Sequence, residues 1–76
     1  MTLNERIGFE MRSRRLLKRM TLEEVAKGMG FASKNTVSRM ELGKTMITIA
    51  DLVKYCDVVG CSWLEIIEEV EKYANN

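Results

Sequence analysis

Five polar side chains lie at the start of one predicted helix, where they could form hydrogen bonds to an outside partner. They are Lys34, Asn35, Thr36, Ser38 and Arg39. Ser33 precedes them and is a good N-cap, because its hydroxyl can accept a first-turn backbone N–H. Val37 and Met40 are three residues apart, so they share one face and can anchor the helix inward. Asparagine can pair with adenine, and lysine or arginine with guanine, so these residues are suited to reading base edges from a helix in the DNA major groove.

Capping patterns mark where the helices begin. A hydroxyl residue followed three positions later by a carboxylate occurs at Thr2/Glu5, Thr21/Glu24, Thr48/Asp51 and Ser62/Glu65. In such a capping box each side chain satisfies a backbone N–H of the first turn. With Ser33, these starts predict a compact all-α domain of five helices, formed by residues 1–76 as a single unit. The helices are expected at about 3–19, 22–27, after Ser33 to before Gly43, after Thr48 to Gly60, and after Ser62 to about Tyr73.

Glycines and apolar spacing refine this prediction. Gly28 and Gly30 can supply the left-handed backbone that ends the second helix. Ala26 is small enough to let two crossing helices approach closely. The apolar residues expected to face the core from the first helix are Leu3, Ile7 and Met11, and from the fourth Ile49, Leu52, Val53, Cys56 and Val59.

The distribution of charge and the residues that are absent indicate which kinds of partner the protein can have. Residues 1–44 hold ten Lys/Arg and five Asp/Glu, a net charge of +5, whereas residues 45–76 hold two and six, a net charge of −4. This asymmetry predicts one face for a polyanion and another pointed away from it. The sequence shows neither a signal-peptide pattern nor an apolar run of the ~20 residues that span a bilayer, so a cytoplasmic protein without a membrane partner is expected. The absence of histidine argues against a metal site, a cofactor or an enzyme.

Four segments together carry a resemblance to a known family. They are Arg15, the capped start Thr21-Leu22-Glu23-Glu24-Val25-Ala26, the stretch Ser38-Arg39-Met40-Glu41-Leu42-Gly43, and the step Val59-Gly60-Cys61-Ser62. In combination they resemble the Cro/repressor-type, or XRE, family of helix-turn-helix transcriptional regulators, from about Ile7 to Ile67. The resemblance implies a lambda-repressor-like DNA-binding domain in which the second and third helices form the helix-turn-helix.

The resemblance also implies roles for single residues. Arg15 and Glu41 are expected to form a structural ion pair, and Lys34, Asn35 and Arg39 to read bases. Residues expected to contact phosphate are Arg12, Thr21, Ser33, Lys44 and Thr45. The family commonly has glutamine where this chain has Leu22, so Thr21 or a neighbouring lysine is expected to replace that phosphate contact. The turn between the second and third helices is also one residue longer than the family pattern, with Ala32 as the insertion. This insertion can shift the base contacts by one position.

The fifth helix carries a wide apolar stripe that consists of Trp63, Ile66, Ile67, Val70 and Tyr73. Together with Ile47, which precedes the fourth helix, this stripe is predicted to form a homodimer interface. A two-fold dimer would bind a palindromic operator with half-sites ~34 Å apart. In the alternative, the fifth helix folds back on the first helix, against Phe9 or Leu16.

The type of regulator remains open at this point. The sequence is compatible with a phage repressor, a restriction-modification controller, or an antitoxin that binds a toxin as well as DNA.

Overall fold

The computed structural model describes residues 1–75, which form five α-helices. They are α1 Leu3–Leu17, α2 Leu22–Met29, α3 Lys34–Glu41, α4 Ile49–Val59 and α5 Trp63–Ala74. Residues 1–75 contain no strand, so the predicted all-α class with five helices is confirmed. Over the same residues, no helix combines the length and the apolar character that a membrane span requires.

The helix starts form largely as the capping patterns predict. In the box at α2, Glu24 N–H donates to the Thr21 hydroxyl at 3.1 Å and Thr21 N–H donates to the Glu24 carboxylate at 2.9 Å. These hydrogen bonds lower the pKa of Glu24 below its ordinary value of 4.5. The boxes at Thr2 and Thr48 are also complete. At Ser62 the hydroxyl accepts the Glu65 N–H, but the Glu65 carboxylate does not accept the Ser62 N–H. The capping box predicted at Ser62 is therefore wrong in this second hydrogen bond.

Two predicted helix ends are wrong. The first helix ends at Leu17 rather than Arg19, because Arg19 adopts a left-handed φ of 56°. The second helix continues through Gly28 to Met29. Its end is at Gly30, whose φ of 77° supplies the left-handed residue, and a helix end of this kind needs only one.

Twelve apolar residues make up the buried core: Met11, Val25, Ala26, Val37, Met40, Ile47, Leu52, Tyr55, Cys56, Val59, Ile66 and Val70. The predicted inward positions of Leu3 and Ile49 are wrong, since their side chains are 54% and 63% exposed. Each is the first residue of its helix, beyond the end of the packed core. Tyr55, which is fully buried, adds instead to the face of α4.

The helices pack so that α2 and α3 face each other and α1 contacts α3, α4 and α5. Contact between α1 and α3 is close at Gly8. A Cβ atom added at Gly8 would lie 2.5 Å from the carbonyl oxygen of Met40 and 2.6 Å from that of Glu41. Only a residue without a side chain lets the two backbones approach this far. Within residues 1–75, α5 packs on α1 and α4 and not on α2 or α3.

Candidate nucleic-acid interface

The outer surface of α3 presents the residues predicted to read bases. Lys34, Asn35, Thr36 and Arg39 are exposed and Ser38 is half-buried. Val37 and Met40 on the opposite face are buried in the core, with exposures of 0% and 4%. The helix is therefore anchored on one side and offers hydrogen-bonding side chains on the other.

A buried ion pair ties α3 to α1. Arg15 Nε donates to Glu41 Oε2 at 2.8 Å, and Arg15 Nη2 donates to Glu41 Oε1 at 3.0 Å. Arg15 Nη1 also donates to the carbonyl of Met20 at 2.9 Å. The hydrogen bonds that Arg15 donates to Glu41 raise the pKa of Arg15, so the guanidinium stays charged. The structure thus brings Arg15 and Glu41 together in the paired geometry that guanidinium and carboxylate favour.

Tyr55 completes this pair, although its role was not predicted from the sequence. Its hydroxyl lies 2.6 Å from Glu41 Oε2 and 2.9 Å from the Met11 carbonyl oxygen, and can donate to either. Burial raises the pKa of Tyr55, so the hydroxyl keeps its proton. A signal was present, because Tyr55 stands with Leu52 and Val59 at helical spacing on the inward face of α4.

The hydroxyls of Thr21 and Ser33 lie at the N-termini of α2 and α3, which suits contact with phosphate. Each accepts a backbone N–H of its helix, so its own O–H proton can be donated to a phosphate oxygen. Lys44, just after α3, and Arg12 on α1 are exposed, and Thr45 is half-buried. The positions of Thr21 and Ser33 fit anion binding, since a helix N-terminus favours negative charge. The exposed positive charges of Arg12 and Lys44 attract phosphate directly.

The loop after α3 is held by Asn4, a second residue that the sequence analysis missed. Asn4 Nδ2 donates to the carbonyls of Gly43 at 3.1 Å and Thr45 at 2.8 Å, and Ile47 N–H donates to Asn4 Oδ1 at 3.0 Å. No local sequence pattern predicts this contact, because Asn4 and its partners are about forty residues apart in the chain. It keeps Lys44 and Thr45 in a defined place beside α3.

Three arginines of α1, Arg6, Arg12 and Arg14, differ in how far they are engaged within the protein. Glu10 is buried and forms ion pairs of 2.9 Å with both Arg6 and Arg14. Arg12, in contrast, remains exposed. Of the three arginines, Arg12 is therefore best placed to meet a phosphate.

Helix α5 folds back on α1, as the alternative prediction stated. Phe9 and Leu16 remain 43% and 50% exposed. Arg6 connects the helices instead, because its guanidinium lies 5.0 Å from the ring centres of both Phe9 and Tyr73. The Tyr73 hydroxyl also donates to the Met1 carbonyl at 2.6 Å.

The residues expected at a dimer interface divide into two groups. Ile47, Ile66 and Val70 are buried in the core of the single chain, so their assignment to an interface is corrected to a core role. Ile66 and Val70 lie on α5, which packs on α1 and α4, and Ile47 belongs to the same core cluster. Trp63, Ile67 and Tyr73 keep part of their surface exposed. Beside Trp63, Leu64 is 55% exposed, and the sequence analysis did not single it out.

The first turns of α2 and α3 meet at an open groove of about 410 Å³. Its walls are formed by Arg15, Thr21, Leu22, Glu23 and Lys34. Lys34 Nζ lies 3.4 Å from Glu23 Oε1 across this groove. Leu22, expected from the resemblance to stand in place of a glutamine, is half-buried here and offers no polar group.

Residues 1–75 bring together no group of three or more Cys, Asp or Glu side chains that could hold a metal ion. Cys56 is buried and Cys61 half-buried, both as free thiols. Burial raises the pKa of the Cys56 thiol to about 12, so it stays protonated and is a poor nucleophile.

Comparison with known proteins agrees with this geometry. The helix-turn-helix family HTH_3 matches residues 11–66. Among solved structures, the chain is similar to the clp gene regulator ClgR from C. glutamicum, with a TM-score of 0.88 and 27% sequence identity. That similarity covers 96% of this chain and 94% of the other. No curated protein matches the chain. The family match includes α2, α3 and the turn between them, as the sequence predicted.

Proposed function

The chain belongs to the helix-turn-helix family HTH_3, and from that premise we propose that it binds a palindromic operator in double-stranded DNA as a homodimer, with α3 in the major groove. The family and the structural neighbour, itself a gene regulator, make the chain a DNA-binding transcription regulator and not an enzyme. The exposed polar face of α3, held from behind by the Arg15–Glu41 pair, is the observation that carries this proposal.

The orientation of α3 supports a role in reading bases. A recognition helix reaches base edges with the residues of its first turns, and Lys34, Asn35 and Arg39 are exposed there. Thr36 and Ser38 add hydroxyls that can donate to or accept from either kind of base pair. The buried anchors of α3 keep its orientation fixed, which is what a sequence-specific contact requires.

The charge distribution supports the same orientation. The exposed carboxylates of α5, which include Glu65, Glu68 and Glu71, would be repelled by phosphate. Because α5 packs on α1 and α4, these carboxylates lie on a different part of the surface from α2 and α3. DNA approaching α3 therefore meets the basic half of the chain first.

Selection of bound sites from random duplex DNA, with the mass of the complex measured alongside, tests this function. A palindromic consensus bound by two chains is the expected result. If no sequence is enriched at moderate salt, the base-reading role of α3 is refuted.

Substitution of Arg39 and Lys44 should separate base reading from phosphate contact. Arg39→Ala is expected to cost about 1–3 kcal/mol on the operator and to relax the preference at one base pair. Lys44→Ala is expected to weaken binding to all sequences alike and to lower the salt slope by about 1. Equilibrium titrations of operator and random duplexes at several salt concentrations measure both effects. Equal losses on the two duplexes for Arg39→Ala would contradict its base-reading role.

The homodimer is proposed to form through the exposed flank of α5, which consists of Trp63, Leu64 and Ile67. Trp63 is 37% exposed and Leu64 is 55% exposed, so a large apolar surface stays in contact with water in the single chain. Tryptophan is enriched at interface hot spots. A domain of 76 residues also gains stability by burying such a surface in a dimer.

Leu64→Glu is expected to convert the dimer to a monomer, because it places a charge within this apolar flank. Leu17→Glu is the matched control, since Leu17 is 77% exposed but lies on α1. Sedimentation analysis should show dimer loss for the first variant only, together with weaker operator binding. An unchanged mass for Leu64→Glu would exclude this interface. A monomeric wild-type chain that co-purifies with one defined protein would instead favour the antitoxin alternative.

A further inference from the structure

A carboxylate lies beside an expected base-reading residue at the corner where α2 and α3 begin. Glu23 Oε1 is 3.4 Å from Lys34 Nζ, and both side chains line the open groove between the two first turns. They are 75% and 54% exposed, so both can reach a molecule that enters from solvent. The groove also contains the hydroxyl residue Thr21.

The capping box of α2 is formed by Thr21 and Glu24, so the Glu23 side chain is not needed for it. Glu23 also stands in the first turn, where its charge favours the helix dipole, and from there it faces Lys34 of α3. Near DNA, a carboxylate is repelled by phosphates, so its position next to α3 lowers the general affinity for the polyanion. Seating Lys34 in the major groove brings Glu23 to the DNA surface, because the two side chains touch.

The chemistry of the two side chains matches one kind of base pair. In the major groove guanine presents two acceptors, O6 and N7, and cytosine presents the N4 amino donor. Lys34 can donate to the guanine while Glu23 accepts from the cytosine amino group. An A·T pair places the acceptor O4 of thymine where the cytosine donor would be, so it repels the carboxylate. Specificity of this kind arises from a penalty on the wrong partner.

On the basis of the proposed DNA-binding function, we infer that Glu23 is a specificity-determining residue that acts with Lys34 to select a G·C pair in one orientation. On an A·T pair or a reversed C·G pair the carboxylate faces an acceptor, and away from the operator it faces phosphates, so binding is weakened. A T·A pair offers Lys34 one acceptor, thymine O4, in place of the two of guanine. On the matching pair the carboxylate gains a donor and the repulsion is offset. Glu23 therefore lowers affinity for random DNA more than for the operator.

The test compares the wild-type chain with Glu23→Gln, Lys34→Gln and the control Glu68→Gln in site selection and in titrations. Glu68 is exposed on α5, so Glu68→Gln changes the net charge equally but far from α3. Glu23→Gln is expected to lose the G·C preference at one position of each half-site. It should also bind random duplex about tenfold tighter, near the lower end of what one mismatched pair costs. Lys34→Gln should lose the preference at the same position, and Glu68→Gln should keep it.

The outcomes separate this inference from the proposed function. If the wild-type chain enriches a consensus that Glu23→Gln leaves unchanged, the inference fails and the function stands. Equal gains on random duplex for Glu23→Gln and Glu68→Gln would also overturn it, because net charge alone would then explain the effect. If the wild-type chain enriches no DNA sequence, the inference about Glu23 and the proposed DNA-binding function fail together. Thermal melting of each variant should match the wild type, since both glutamates are exposed.

Discussion

Glu41→Gln is expected to destabilise the protein by about 3–5 kcal/mol, because it leaves the Arg15 charge buried without its partner. The side chains of Arg15 and Glu41 are only 8% and 3% exposed, so water cannot replace the lost carboxylate. Tyr55 would also lose the charged acceptor of its hydroxyl. Urea unfolding followed by circular dichroism, at one fixed protein concentration, measures the change in the free energy of unfolding.

Glu69→Gln provides the matched control for this loss. Glu69 pairs with Lys72 at 3.3 Å on the surface of α5, where the side chains are 43% and 72% exposed. Exposed pairs contribute about 0–1 kcal/mol, so this variant should unfold nearly as the wild type does. If Glu41→Gln costs no more than Glu69→Gln, the buried pair does not hold α3 in the way the structure indicates.

Removal of both charges should be less damaging than removal of one. In the double variant with Arg15→Met and Glu41→Gln, no unpaired charge remains in the core. Replacing a buried pair by well-packed apolar groups is often neutral for stability, and this double variant retains only one uncharged amide at the site. Tyr55 can still donate to the carbonyl of Met11. A double variant more stable than Glu41→Gln alone would identify the orphaned guanidinium as the main cause of the loss.

Gly8→Ala is expected to destabilise the protein by about 1–3 kcal/mol, because the new methyl group overlaps the backbone of α3. The clash is with carbonyl groups of Met40 and Glu41, which cannot rotate away as a side chain can. It outweighs the gain of about 1 kcal/mol that alanine brings inside a helix. Since α3 must move to relieve the clash, operator affinity should fall as well. Urea unfolding and operator titration measure the two effects.

Gly28→Ala is the control for Gly8→Ala, because Gly8 and Gly28 both lie inside helices. A Cβ at Gly28 would meet Val58 Cγ1 at 2.6 Å, and a half-buried side chain can shift by a small amount. The loss for Gly28→Ala should therefore be smaller, with operator affinity close to that of the wild type. A Gly8→Ala variant as stable as the wild type would show that α1 and α3 do not approach so closely.

Local features of the chain predicted much of the fold. Three capping boxes form where Thr2, Thr21 and Thr48 predicted them, because the partners in each box are three residues apart. The order of short helix, turn and polar-faced helix follows from Gly30 and Ser33, which act on their own neighbours. Such contacts depend on few residues, so they can be predicted without the rest of the molecule.

Contacts between distant segments were less predictable. Asn4 and Gly8 contact the end of α3 and the loop after it, and nothing near them in the sequence indicates this. The apolar stripe of α1 predicted Leu3 in the core, but where the stripe ends depends on which helices cover it.

The sequence by itself determined the helix starts, the helix-turn-helix order and the polar face of α3, since each depends on hydrogen bonds or periodicity within one or two turns. Only the tertiary structure decided that Tyr55 joins Arg15 and Glu41, and that Glu23 meets Lys34 across the corner of α2 and α3. These side chains belong to different helices, and the packing of those helices sets the distances between them.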